Sequence, residues 1–154
     1  MAASMVEDFR RTGSFLHAFV VMIHHVHFLA TLAEGVSVSQ LVARIKRNSS
    51  RRIRPLLSPE VASQLKQQAG LNESQFWKRS FRSIVVSTPK VFSQKMVYIH
   101  QNPVRAGGSE CTEDYRWSSA ATYAVGRVEA GWSLDLDYLL ELYAPSGLPP
   151  VSGP

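Results

Sequence analysis

Two short arrays in this sequence contain side chains of the types that do chemistry. The first is His25-Val26-His27. In a strand, positions i and i+2 project to the same side, about 6 to 7 Å apart along the backbone, so two imidazoles there can share one divalent ion. Val26 is then expected in the opposite, buried layer, and His24 with it. The pair by itself leaves two readings open: a metal site, which needs a third ligand, or half-buried histidines with ordinary hydrogen bonds.

The second array is Lys95, Tyr98 and Asn102 in VFSQKMVYIHQNPVRAG. Positions 98 and 102 are one helical turn apart, so a phenol and a carboxamide share a face, with Lys95 close by. A tyrosine at its ordinary pKa of about 10 is a poor nucleophile, and a neighbouring metal ion and cations would help it. The other reading is an amphipathic tyrosine at the edge of a core, with Asn102-Pro103 serving only as a helix stop.

The elements that must position these residues are legible around them. HAFVVM (17–22) and HVHFLATL (25–32) are rich in strand formers and are separated by little, so they read as adjacent antiparallel strands. Ala33-Glu34-Gly35 is a turn, and Ser37 with Gln40 forms a capping box that starts a helix. In that helix Val38, Leu41, Val42 and Ile45 recur at helical spacing, while Arg44, Arg47 and Arg51 fall on another face. Ser58-Pro59-Glu60 starts a short helix that Gly70 stops. Gln75 to Ser87 changes to Ile84, Val85 and Val86 and reads as a third strand ending in a loop. Thr88-Pro89 opens a helix with an apolar stripe of Phe92, Met96 and Ile99, and Asn102-Pro103 should end it. Leu134 to Ala144 reads as a last amphipathic helix, followed by a disordered tail over 145–154.

The chain has 154 residues, enough for one domain with a core of its own, here taken as 1–144. A single cysteine, Cys111, excludes an intrachain disulfide and makes the cytoplasm the default compartment. The N-terminus lacks the apolar core of a secretory signal, and the uncharged stretch from Thr12 to Ala33 carries His24, His25 and His27 at its centre, against a membrane span. The net charge of +5 is unevenly spread. Between Gly35 and Ser109, Lys and Arg recur, among them Arg44, Lys46, Arg47, Arg51, Arg52 and Lys95, against only Glu60 and Glu73. Such a stretch, interleaved with Phe76, Trp77 and Phe81, suits a polyanion such as nucleic acid, or is a solvated basic surface.

Four segments in one order, MIHHVHFLATLAEGVSVSQLVARIKRNSSRRI, FWKRSF, YIHQNPVRAG and YRWSSAATY, resemble the REP-associated tyrosine transposases and their single-tyrosine insertion-sequence relatives, which are His-hydrophobic-His nucleases. The resemblance runs from about His17 to Tyr143. It implies an α/β (α+β) domain, a ferredoxin-like antiparallel sheet with helices on one face. It further implies Mg²⁺ or Mn²⁺ held by His25, His27 and Asn102, and Tyr98 as the nucleophile that cleaves single-stranded DNA through a 5′-phosphotyrosine before strand transfer. The implied partner is single-stranded or hairpin DNA, gripped by Arg44, Lys46, Arg47, Arg51, Arg52 and Lys95, with the protein a monomer or homodimer. Trp77 is assigned to the core, and Trp117-Ser118-Ser119 matches a family signature read here as structural.

The sequence departs from the family pattern in two places. His24 stands where the family has Asn and Ile23 where it has Pro. The family also has a strand and most of a helix before the segment equivalent to HAFVVM, and residues 1–16 are too few for both, so MVEDFRRTGSF is expected to be the end of that helix. A sheet lacking its first strand has an exposed edge. The alternative is therefore an inactive, shortened transposase that at most binds DNA; a small metal enzyme unrelated to DNA is a third, more distant reading.

Overall fold

The computed structural model describes residues 1–69 and 76–125. Helix α1 (Ala2–Thr12) buries Met5, Val6 and Phe9 along one stripe. It ends at Gly13, whose φ of 67° is the left-handed conformation that glycine adopts without a Cβ penalty, with Ser14 N–H returning to the Phe9 carbonyl. The expected end of a helix before the first strand is thus present, as an eleven-residue helix.

Strands β1 (Phe15–Val21) and β2 (Val26–Thr31) pair antiparallel from Phe15 with Thr31 to Val21 with Val26. Their link closes on a Met22 N–H to His25 carbonyl bond, leaving Ile23 and His24 exposed at the tip. His24 therefore does not enter the buried layer: it lies in the turn, outside the alternation of either strand. A bulge at His17, between Leu16 and Ala18, shifts the alternation of β1. As a result Leu16 and Phe19 pack in one core cluster while Ala18 and Val20 pack in another.

Those two clusters are the two faces of the sheet. On one, α1 and helix α2 (Val38–Ile53) bring Leu41 and Ile45 against Phe19, with Val26, Phe28 and Ala30 behind. On the other, helix α4 (Pro89–Arg105), which follows α3 (Pro59–Ala69), lays Phe92, Met96 and Ile99 against Ala18, Val20 and Leu29. The expected antiparallel α+β arrangement is present, but the helices cover both faces rather than one. Both faces of these strands are apolar, so each needs a cover.

The capping box at Ser37 and Gln40 forms as expected, with both reciprocal bonds present. Thr88 caps α4, and Pro89 is its first residue. Two other expectations fail. Residues 76–87 form no strand: Ile84 and Val85 are 70% and 90% exposed, the segment pairs with neither β1 nor β2, and Val86 packs against the core. Nor does α4 stop at Asn102; it runs through a buried Pro103 to Arg105. The turn beyond closes with Gly107 at φ 68°, Gly107 N–H on the Val104 carbonyl and Gly108 N–H on the Pro103 carbonyl.

The outer edge of β1 is occupied by YRWSS. Val21 N–H donates to the Trp117 carbonyl and Ser119 N–H to the Phe19 carbonyl, a single antiparallel bridge between Val20 and Ser118. Tyr115 hydroxyl donates to the Val21 carbonyl, and Tyr123, on the short helix α5 (Ala120–Val125), donates to that of His17. The motif is structural, as expected. Gly70, Gln75, the helix expected over 134–144 and the tail over 145–154 lie outside the described residues.

Candidate active site

β2 carries His27, and His25 directly precedes its first residue, Val26. Their ring centroids are 4.8 Å apart, with the planes at 78°. His27 is half-buried, and burial, with the neighbouring His25 second, lowers its pKa below the ordinary 6.5. A neutral imidazole with its lone pair available is the form that ligates a metal, so the pair fits the chemistry of a small divalent ion.

Tyr98 comes to this pair from the other side. It projects from α4, and its ring meets the edge of His27 at 5.5 Å between centroids and 75° between planes. Ile99, next in the helix, is buried against the sheet, which sets the rotation of α4 and turns Tyr98 to its rim, 42% exposed. Asn102, one turn on, donates its amide nitrogen to the Tyr98 carbonyl at 2.7 Å. That bond commits the nitrogen to the helix and leaves the carboxamide oxygen as the atom available to a ligand. Among the described residues there is no group of three His, Cys, Asp or Glu side chains able to hold a metal.

Two cations border the Tyr98 ring: Lys95 Nζ lies 5.9 Å and Arg105 Cζ 5.8 Å from its centroid. Contacts of this kind at exposed sites contribute about 0.5–1 kcal/mol each and orient the ring. Arg105 is absent from the sequence-derived site because a helix ending at Asn102 could not carry it. Its signal was its place seven residues after Tyr98, two turns along the same face, and that signal exists only if the helix continues through Pro103.

The bases of α2 lie elsewhere. That helix packs on the sheet face opposite His27. Arg44 donates to Asp8 at 3.0 Å, and Asp8 is 2% exposed, so this guanidinium is committed to holding α1 against α2. Lys46 donates to the carbonyls of Lys78, Arg79 and Ser80, pinning the segment that follows α3. Arg47, Arg51 and Arg52 are exposed. Trp77 is half-buried, its indole nitrogen donating to Ser49 at 3.0 Å, which agrees with a packing role.

A family model described as "Transposase IS200 like" matches residues 2–102, a span that holds His25, His27, Tyr98 and Asn102. The chain belongs to the IS200-like transposase family. Its fold is also that of a solved REP-associated tyrosine transposase bound to a REP hairpin, with a TM-score of 0.57 and 23% sequence identity over 86% of this chain and 71% of that one. No curated protein matches it. Within this transposase family member, no described helix is long and apolar enough to cross a membrane.

Proposed function

We propose that this chain cleaves single-stranded DNA and transfers the cut end to a second strand, through a covalent 5′-phosphotyrosine on Tyr98. The observation that carries this reading is the meeting of Tyr98 with His27, which in turn packs edge-on with His25. Family membership and the hairpin-bound relative support DNA as the substrate.

Tyr98 Oη attacks the scissile phosphorus in line. The bond from phosphorus to the 3′ oxygen breaks, the 5′ phosphate remains on Tyr98, and the proton lost by the phenol balances the one gained by the departing 3′ hydroxyl. Attack by another 3′ hydroxyl reverses these steps and joins new partners with no external energy source. His25, His27 and the Asn102 oxygen would hold Mg²⁺ or Mn²⁺, which when bound supplies Lewis acidity at the phosphate. Exposed Arg47, Arg51 and Arg52 would meet backbone phosphates away from the cut.

The test is a denaturation-resistant protein–DNA adduct, formed with single-stranded or hairpin oligonucleotides and Mn²⁺. Wild type should form it; Tyr98→Phe should form none and still bind DNA within about twofold, since the ring and its neighbours stay. An adduct in Tyr98→Phe would rule out this nucleophile. Binding without any adduct in wild type would leave the inactive, DNA-binding alternative.

A further inference from the structure

The outer face of α4 carries a feature that the cleavage chemistry does not use. Beside Tyr98 lies an open pocket of ≈ 490 Å³ lined by Ser93, Gln94, Lys95, Val97, Tyr98 and Arg105. The lining combines an exposed aliphatic side chain, neutral polar groups and two cations.

Among the described residues, neither cation has a carboxylate partner. Arg105 donates to the neutral Gln101 at 3.1 Å, and Lys95 lies over the Tyr98 ring. Arg10, Arg11 and Arg44, by contrast, are each paired with Glu7 or Asp8. A positive charge without a counter-charge, held beside a hydroxyl that the preceding section assigns as a nucleophile, calls for an anion from outside. Lys95 stands one turn before Tyr98 and Arg105 two turns after it, both bordering its ring, so an anion that meets both spans the tyrosine. A polynucleotide backbone has that form.

We propose that Lys95 and Arg105 clamp successive phosphates of the DNA strand that Tyr98 attacks, with one nucleotide between them seated in the pocket against Val97. At the cut the strand then follows α4 on the His27 side of the sheet, and the basic face of α2 is left for phosphates farther along the DNA. This rests on the reading of Tyr98 as the nucleophile, so the test needs a readout that does not depend on cleavage.

That readout is the salt dependence of binding to a labelled mixed-sequence single strand, without metal. Each phosphate contact to a single strand contributes about 0.7 to the slope of log affinity against log salt. Lys95→Gln and Arg105→Gln should each flatten the slope by about 0.7, and the double variant by about 1.4. Arg105→Lys should keep the slope, and Arg10→Gln, on α1, should leave it unchanged. Both clamp side chains are at the surface, and circular dichroism of each variant reports that the fold is kept. An unaltered slope in the double variant overturns the clamp, as does absence of binding by wild type at low salt. Adduct formation by wild type with an unaltered slope would overturn the clamp alone. A flattened slope with no adduct would uphold the phosphate site and overturn Tyr98 as nucleophile.

Discussion

His27 on β2 and Tyr98 on α4 meet edge to face, 5.5 Å between ring centroids, although nothing local in the sequence joins them. The contact exists because the stripe of Phe92, Met96 and Ile99 seats α4 on the same sheet face as His27, with Tyr98 one position before Ile99 at the rim. A tyrosine so held stands beside the imidazole pair, at the exposed rim of the helix.

Mn²⁺ binding is the first expectation that follows. Removing both imidazoles with His25→Ala and His27→Ala should weaken Mn²⁺ binding by more than tenfold in calorimetric titration, because two of the ligands are lost. Unchanged binding in the double variant would place the ion elsewhere and remove the proposed Lewis acid.

Arg44 is expected to matter for stability more than for DNA. Asp8 accepts from Arg44 at 3.0 Å and from Asn48 at 2.6 Å, and its other carboxylate oxygen is buried without a partner. Arg44→Ala would leave a buried carboxylate with Asn48 alone. Breaking a buried pair costs about 3–5 kcal/mol, and since Arg44 is one-third exposed and screened by solvent, a smaller loss of about 2–3 kcal/mol is expected in urea denaturation. A loss of DNA affinity with unchanged stability would reverse this assignment.

Ser119 ties three elements together. Its hydroxyl accepts the Phe19 N–H at 2.9 Å and lies 2.8 Å from His100 Nε2, and the residue is fully buried. Ser119→Ala removes the bonds of this hydroxyl to Phe19 N–H and His100 Nε2, each worth about 0.5–1.5 kcal/mol. A lowered urea midpoint with an unchanged m-value is the expected signature; an unchanged midpoint would mean that the strap along β1 contributes little.

Acid should destabilise the fold through His100. Burial, opposed by the nearby Glu113 carboxylate, lowers its pKa from 6.5 to about 4. The folded-state value is the depressed one, so the unfolded chain takes up the proton first as pH falls. The contribution is therefore complete above about pH 6.5 and is lost progressively down to about pH 4, by at most roughly 3 kcal/mol. His100→Asn should show a smaller loss of stability over that window than wild type; an equal loss would assign the acid sensitivity to other groups.

What the sequence determined by itself was decided within a few residues. The i, i+2 spacing put His25 and His27 side by side, and Ser37 with Gln40 and Thr88 with Pro89 started helices, because the groups that satisfy one another there are close along the chain. The left-out features depend on distant partners. Ile84 and Val85 have strand propensity but stay exposed and pair with neither strand, while the outer edge of β1 takes Trp117 to Ser119. Asn102-Pro103 has the local form of a helix stop, yet burial of the Pro103 ring and the glycine-closed turn after it carry α4 on to Arg105. Arg44 has the composition of a DNA contact until α1 supplies Asp8. Tertiary structure alone decided which sheet face each helix covers, and so that Tyr98, Lys95 and Arg105 stand with the histidine pair while the α2 bases stand across the sheet. Apolar burial sets that choice, and it is made between segments that the chain keeps far apart.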